Sequence, residues 1–104
     1  MSKPANALRG EVHLGLGSQQ VLLRPSFENL VAAEEEIGSL FALVERASEG
    51  SVTLSEMSTL LWHCIDADPR PSREQVGKAV LKLGLIETTK PVRTILAQVL
   101  QGQS

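Results

Sequence analysis

Residues 9–30 read RGEVHLGLGSQQVLLRPSFENL, and within this stretch the periodicity of the apolar positions changes from two to helical. Val12, Leu14 and Leu16 alternate with Glu11, His13 and Gly15, the period of two that marks a half-buried strand. Gly17, Ser18 and Gln19 break the alternation, and from Gln20 to Arg24 a second β-compatible run carries Val21 and Leu23 on one face. Two such runs around a glycine-containing turn predict a hairpin. Pro25 ends the second strand, because it has no N–H to give to a ladder. Ser26 stands where a hydroxyl can cap the first turn of a helix, and Phe27, Leu30, Val31 and Ile37 follow at helical spacing. Phe27, at the strand-to-helix junction, reads as a core residue. A lone hairpin is marginal in water, so its apolar face must lie on the helices downstream.

Those helices are punctuated by their caps. Gly38 closes the first and Ser39 opens a shorter second, whose stripe is Leu40, Leu43, Val44 and Ala47, with Glu45 and Arg46 facing water and Gly50 at its end. Thr53 with Glu56 forms a capping box for a third helix carrying Leu54, Met57, Leu60, Leu61, Cys64 and Ile65, the widest apolar stripe in the chain. Pro69 and Pro71 make 66–71 a loop. Ser72 with Gln75 repeats the capping box before Val76, Ala79, Val80 and Leu83, and Gly84 ends that helix. Thr88 or Thr89 with Pro91 then predicts the start of a last helix running to Gly102. The expected architecture is α+β: an N-terminal β-hairpin packed on a bundle of about five helices. Residues 1–9 read as a flexible arm and 10–102 as a single domain.

Composition narrows the function classes. The 104 residues carry 10 basic and 12 acidic side chains, a formal charge of -2, and 42% apolar residues. That balance excludes a disordered chain and disfavours nucleic acid as a partner, since a strongly basic face supplies most of that affinity. No apolar run approaches the ~20 residues of a membrane span, and no apolar leader precedes the hairpin, so a cytoplasmic protein is expected. Residues 1–52 hold 4 basic and 7 acidic side chains and residues 53–104 hold 6 and 5, too mild a split to make a field.

Neither a catalytic, a metal-binding nor a cofactor-binding site emerges. Cys64 is the only cysteine and lies on the apolar stripe, a small buried hydrophobe. His63 is its neighbour on one helix, where adjacent side chains point about 100° apart and cannot pair as base and nucleophile. His13 falls among the polar positions of the first strand and reads as solvated. Asp66 and Asp68 lack the glycine and closing Glu of a calcium loop, and are expected to solvate a helix-to-helix connection or to pair with Arg70 and Arg73. Glu34, Glu35 and Glu36 fan around a helix as a solvated face, with an acidic docking patch as the alternative. The basic residues of the second half are interleaved with acids and lack aromatics to stack on bases. What remains is a protein-contact role. Its candidate residues are Phe41, Met57 and Trp62, with Glu35 as an orienting acidic rim, because half-exposed large side chains anchor interfaces.

The run Arg9-Gly10-Glu11-Val12 with Leu14, the junction Leu23-Arg24-Pro25-Ser26-Phe27-Glu28-Asn29-Leu30, and Glu34-Glu35 with Ile37-Gly38 resemble the start of a family of small tail proteins from gene transfer agents and related prophages. The helix 40–47 and Leu60-Leu61-Trp62 look like it too, so the resemblance spans 9–100. Asn29 departs from it, standing where a small residue is expected, as does the Pro69 and Pro71 loop. Members are described as tail tube or tail assembly chaperone components, encoded beside the tape-measure gene. The resemblance implies a role in building a phage-like tail, no enzymatic activity and no cofactor. It also implies tape-measure or tail tube proteins as partners, with association between copies compatible with either role. A tube subunit needs a large sheet, which one hairpin does not supply, so an assembly chaperone is the expected role and a virion-associated structural component the alternative.

Overall fold

The computed structural model describes residues 11–101. The arm 1–9 and the end of the last helix at Gly102 lie outside the described residues. The hairpin forms as its periodicity predicts: β1 (Val12–Leu16) and β2 (Gln19–Leu23) pair antiparallel in the register Val12↔Leu23 to Leu16↔Gln19. The two-residue link puts Gly17 at φ 63, as a hairpin turn with glycine at its first central position requires, and among the described residues only glycines take a positive φ. Leu14, Val21 and Leu23 point into the core.

Five helices follow: α1 (Phe27–Ile37), α2 (Leu40–Ser48), α3 (Leu54–Cys64), α4 (Arg73–Leu83) and α5 (Leu85–Gln101). Their starts are chemical. The Ser26, Ser39, Thr53 and Ser72 hydroxyls each accept an N–H of the first turn, and Thr53/Glu56 and Ser72/Gln75 close full capping boxes. The α+β architecture is the one expected. α3 runs through its centre, packed against α1, α4 and α5, with Leu60, Leu61 and Cys64 fully buried. Ala33 of α1, also fully buried, gives α1 the small side chain that lets a helix come close.

Four local expectations change. A third strand, β3 (Ile65–Asp66), pairs antiparallel with β2 through Leu23↔Ile65 and Leu22↔Asp66, and the Arg24 N–H donates to the Cys64 carbonyl at 2.7 Å. The apolar pattern carries Ile65 onward as helix, but the open edge of β2 captures it as strand, making β2 the central strand of three. Phe27 is 82% exposed instead of core. α1 turns Leu30, Ala33 and Ile37 inward, and this phase leaves Phe27 and Val31 on the solvent side. Leu54, expected on the α3 stripe, is also exposed.

α5 begins at Leu85 rather than at Thr88 or Thr89, and Pro91 sits inside it. Only Gly84 separates α4 from α5. Its φ of 90 and ψ of 157 lie in a region essentially reserved for glycine. Its carbonyl accepts both the Thr88 N–H and the Thr88 hydroxyl, opening the next ladder. A proline in a helix interior costs about 3 kcal/mol or more. Burial of Thr88, Val92, Ile95 and Leu96 along one face of α5 opposes that cost.

Candidate docking surface

The end of α2 and the start of α3 are tied before they form any surface. Gly50 adopts φ 73 after α2, and the Ser51 N–H returns to the Arg46 carbonyl at 2.8 Å. Arg46, expected to face water, instead pairs with Glu56 at 2.6 Å. Glu56 is the capping-box glutamate of α3, and its Oε1 also accepts the Thr53 N–H at 2.9 Å. The Arg46 guanidinium, followed by the Thr53 N–H, holds the Glu56 carboxyl down at about 2.

Against this corner lies the first half of α5. Leu85, Thr89, Val92 and Arg93 recur at helical spacing, and with Ala47, Gly50, Val52 and Met57 they line an open cleft of about 180 Å³. Small-molecule sites run to about 300–1,000 Å³, so this space suits one or two inserted side chains instead. The lining is mainly apolar, and Arg93 supplies a cation at the rim. A second hollow, of about 290 Å³, lies between the hairpin turn at Leu16 and Gly17 and the Lys78 and Lys82 side of α4.

Of the four candidate contact residues, only Met57 lines the cleft, and it does so from the core, at 4% exposure. Phe41 is 63% exposed on α2, and Glu35 is exposed on α1. Trp62 is half-buried and engaged within its own chain. Its indole N–H donates to the Pro71 carbonyl at 2.9 Å, and the Arg70 and Arg73 guanidinium carbons lie 4.8 and 4.3 Å from its ring centroid. The sequence does not join Leu85 and Thr89 to Val92 and Arg93 on one face, because a helix start at Thr88 or Thr89 with Pro91 leaves Leu85 outside α5.

Beside Trp62 sits a charged knot. The Arg73 guanidinium grips the Glu36 carboxylate through both terminal nitrogens, and His63 Nε2 reaches Glu36 Oε1 at 2.9 Å. Arg73, then His63, hold the Glu36 carboxyl down at about 2. The acidic run is therefore divided: Glu36 pairs, Glu34 accepts the Leu40 N–H at 3.0 Å, and Glu35 faces solvent. Asp68 is exposed on the loop between β3 and α4, in keeping with the solvated reading of that connection. Asp66 lies 3.2 Å from Arg24, which also holds the buried Glu11, while Arg70 donates to the Ile65 carbonyl. His13, expected to be solvated, is half-buried with contacts of its own. Asn29 ties the strand end to α1, donating from its side chain to the Arg24 carbonyl at 2.9 Å.

Cys64 is fully buried, and burial pushes its thiol up to about 12, so it stays protonated. Among the described residues no three His, Cys, Asp or Glu side chains gather to hold a metal ion, and no helix is long and apolar enough to cross a membrane. A family model described as phage tail tube protein, GTA-gp10, matches residues 9–102. Comparison with curated proteins and with solved structures returns no match.

Proposed function

Because the chain belongs to this family of phage tail tube proteins of the GTA-gp10 kind, matched over residues 9–102, we propose that it serves tail assembly as a chaperone. In this reading it works in the cytoplasm of the producing cell and by contact rather than catalysis. Its partner is another tail protein, the tape-measure or the tube subunit, and the contact is an apolar side chain of that partner seated in the cleft between α2, α3 and α5. The observation that carries the reading is the side-chain-sized apolar cleft, with Met57 as its floor and Leu85 at its lip, 57% exposed. Helix-in-groove recognition uses this kind of opening, and an acidic residue one turn from the anchor would meet Arg93.

The size of the sheet supports a chaperone over a tube wall. The described strands are five, five and two residues long. A sheet of three described strands, one of them two residues long, gives neighbouring subunits little edge through which to close a ring. The family's description as tube proteins favours the second reading, a structural component of the tail.

Affinity capture of the tagged chain, co-expressed with the tape-measure and tube proteins of its own gene cluster, tests the proposal. Recovery of one of them in a salt-stable complex is expected, with loss of recovery for Leu85→Asp. Recovery of neither would count heavily against any assembly role.

A further inference from the structure

Phe27, at 82%, is the most exposed large apolar side chain among the described residues, and Val31, one turn further along α1, is 36% exposed. Glu35 follows a turn beyond Val31 on the same stripe, and Glu28 flanks it, three residues before Val31. Both glutamates are exposed. From Phe27 to Glu35 the stripe runs about 12 Å along the helix, at about 1.5 Å per residue. Residues 11–37 hold five acidic side chains and one basic, Arg24, which is taken up by Glu11 and Asp66. Arg73, brought in from α4, is taken up by Glu36. Among the described residues no cation pairs with Glu28 or Glu35.

We infer that this face of α1 docks a basic amphipathic helix of another protein, with an apolar side chain set on Phe27 and Val31 and Lys or Arg a turn away to meet Glu28 and Glu35. The apolar pair supplies the anchor, and the acids select what surrounds it. Charge decides the occupant. Nucleic acid and an anionic membrane surface carry the wrong sign for this face. A second copy matches poorly too, because α1 set on α1 brings glutamates together. Lys78 of α4 and Lys90 of α5 are already paired, with Glu74 at 3.5 Å and Glu87 at 2.7 Å. A helix with Lys or Arg three or four residues from its apolar anchor reaches both acids at once. The face is separate from the cleft, whose lining contains none of Phe27, Glu28, Val31 or Glu35 and whose Arg93 favours an acidic neighbour. The chain thus presents two contacts of opposite charge preference.

Photo-crosslinking in the producing cell reads this directly. p-Benzoylphenylalanine in place of Phe27 keeps an exposed aromatic ring there, and the same probe in place of Val31 gives a second placement on the face. Leu81, 69% exposed on α4, is the control position. The adduct is expected on one segment of another protein, identified by mass spectrometry, with a Lys or Arg within about one helical turn of the cross-linked side chain. The control position is expected to give no adduct to that segment. Glu28→Gln with Glu35→Gln, added to the Phe27 probe, is expected to lower the adduct yield roughly fivefold or more while the melting curve is retained. No adduct from either placement, an adduct with a second copy, or a cross-linked segment without basic residues would overturn the inference. So would the same segment at the control position, or full yield in the glutamine variant. Affinity capture with Leu85→Asp reads the cleft and the adduct at Phe27 reads this face, so the two proposals fail separately.

Discussion

Arg73, the first residue of α4, closes a two-pronged ion pair on Glu36, near the end of α1 and 37 positions earlier in the chain, while His63 of α3 takes the same carboxylate. Three helices thus meet on one acidic group. A pH dependence follows with a definite sign. Glu36 and Glu56 both titrate at about 2 in the folded protein, below the ordinary 4.5. A carboxyl depressed by folding contributes stability that is present above its unfolded pKa and is lost as pH falls through the folded one. Thermal denaturation should therefore be flat from neutrality to about 5, then fall steeply between about 4.5 and 2. The double variant Glu36→Gln, Glu56→Gln should show a shallower fall over that window. An unchanged slope would mean that other carboxylates carry the acid transition.

Trp62 spends its polar atom on its own chain. Trp62→Phe removes the N–H donated to the Pro71 carbonyl but keeps an aromatic face for Arg70 and Arg73. Urea denaturation should show a loss of about 1 kcal/mol, with capture of a tail partner unchanged. Loss of capture without loss of stability would instead make Trp62 an interface anchor.

Phe27 gives the opposite expectation to its hydrophobicity. A buried Phe→Ala change costs about 3–5 kcal/mol. With Phe27 at 82% exposure, Phe27→Ala should fall within about 0.5 kcal/mol of the wild type in dilute solution. A cost of several kcal/mol would show that the side chain packs inward and that the α1 phase differs.

Gly84 is held by its backbone alone. A Cβ added there would meet no atom within 4 Å, so Gly84→Ala tests φ and ψ without a clash. The expected cost in urea denaturation is of the order of 1–3 kcal/mol. A neutral result would mean that the α4–α5 link relaxes out of its glycine-only conformation.

Leu85→Asp separates the cleft from the fold. Leu85 is the first residue of α5, where an acid suits the positive end of the helix, and it is 57% exposed. The melting temperature should hold while affinity for the captured partner drops at least tenfold, about 1.4 kcal/mol or more, in a titration of the two purified proteins.

Local chemistry was legible and long-range pairing was not. The hairpin, the four hydroxyl caps and the stops at Gly38 and Gly84 depend on residues a few positions apart, so their signals lie next to each other in the chain. β3 exists only because β2 offers an edge, and no pattern within Ile65 and Asp66 announces a partner more than 40 residues upstream. The phase of α1 was ambiguous for a related reason. Phe27, Leu30 and Val31 all fit an apolar stripe, and only the close approach permitted by Ala33 decides which of them turns inward. The cleft draws on α2, the turn after it, α3 and α5, so Met57 was visible as an apolar side chain but its neighbours were not. Glu36 likewise reads as one of three solvated acids, because Arg73 lies three helices further along the chain.

The central claim is that the chain assists assembly and then leaves. Quantitative mass spectrometry of purified particles, set against the lysate that produced them, measures this most directly. The expected result is abundant protein in the lysate and a content in finished particles far below one copy per tube ring. A fixed stoichiometry in the particles, at or above one subunit per tube ring and stable to high salt, would contradict the chaperone reading and make the chain part of the tail itself.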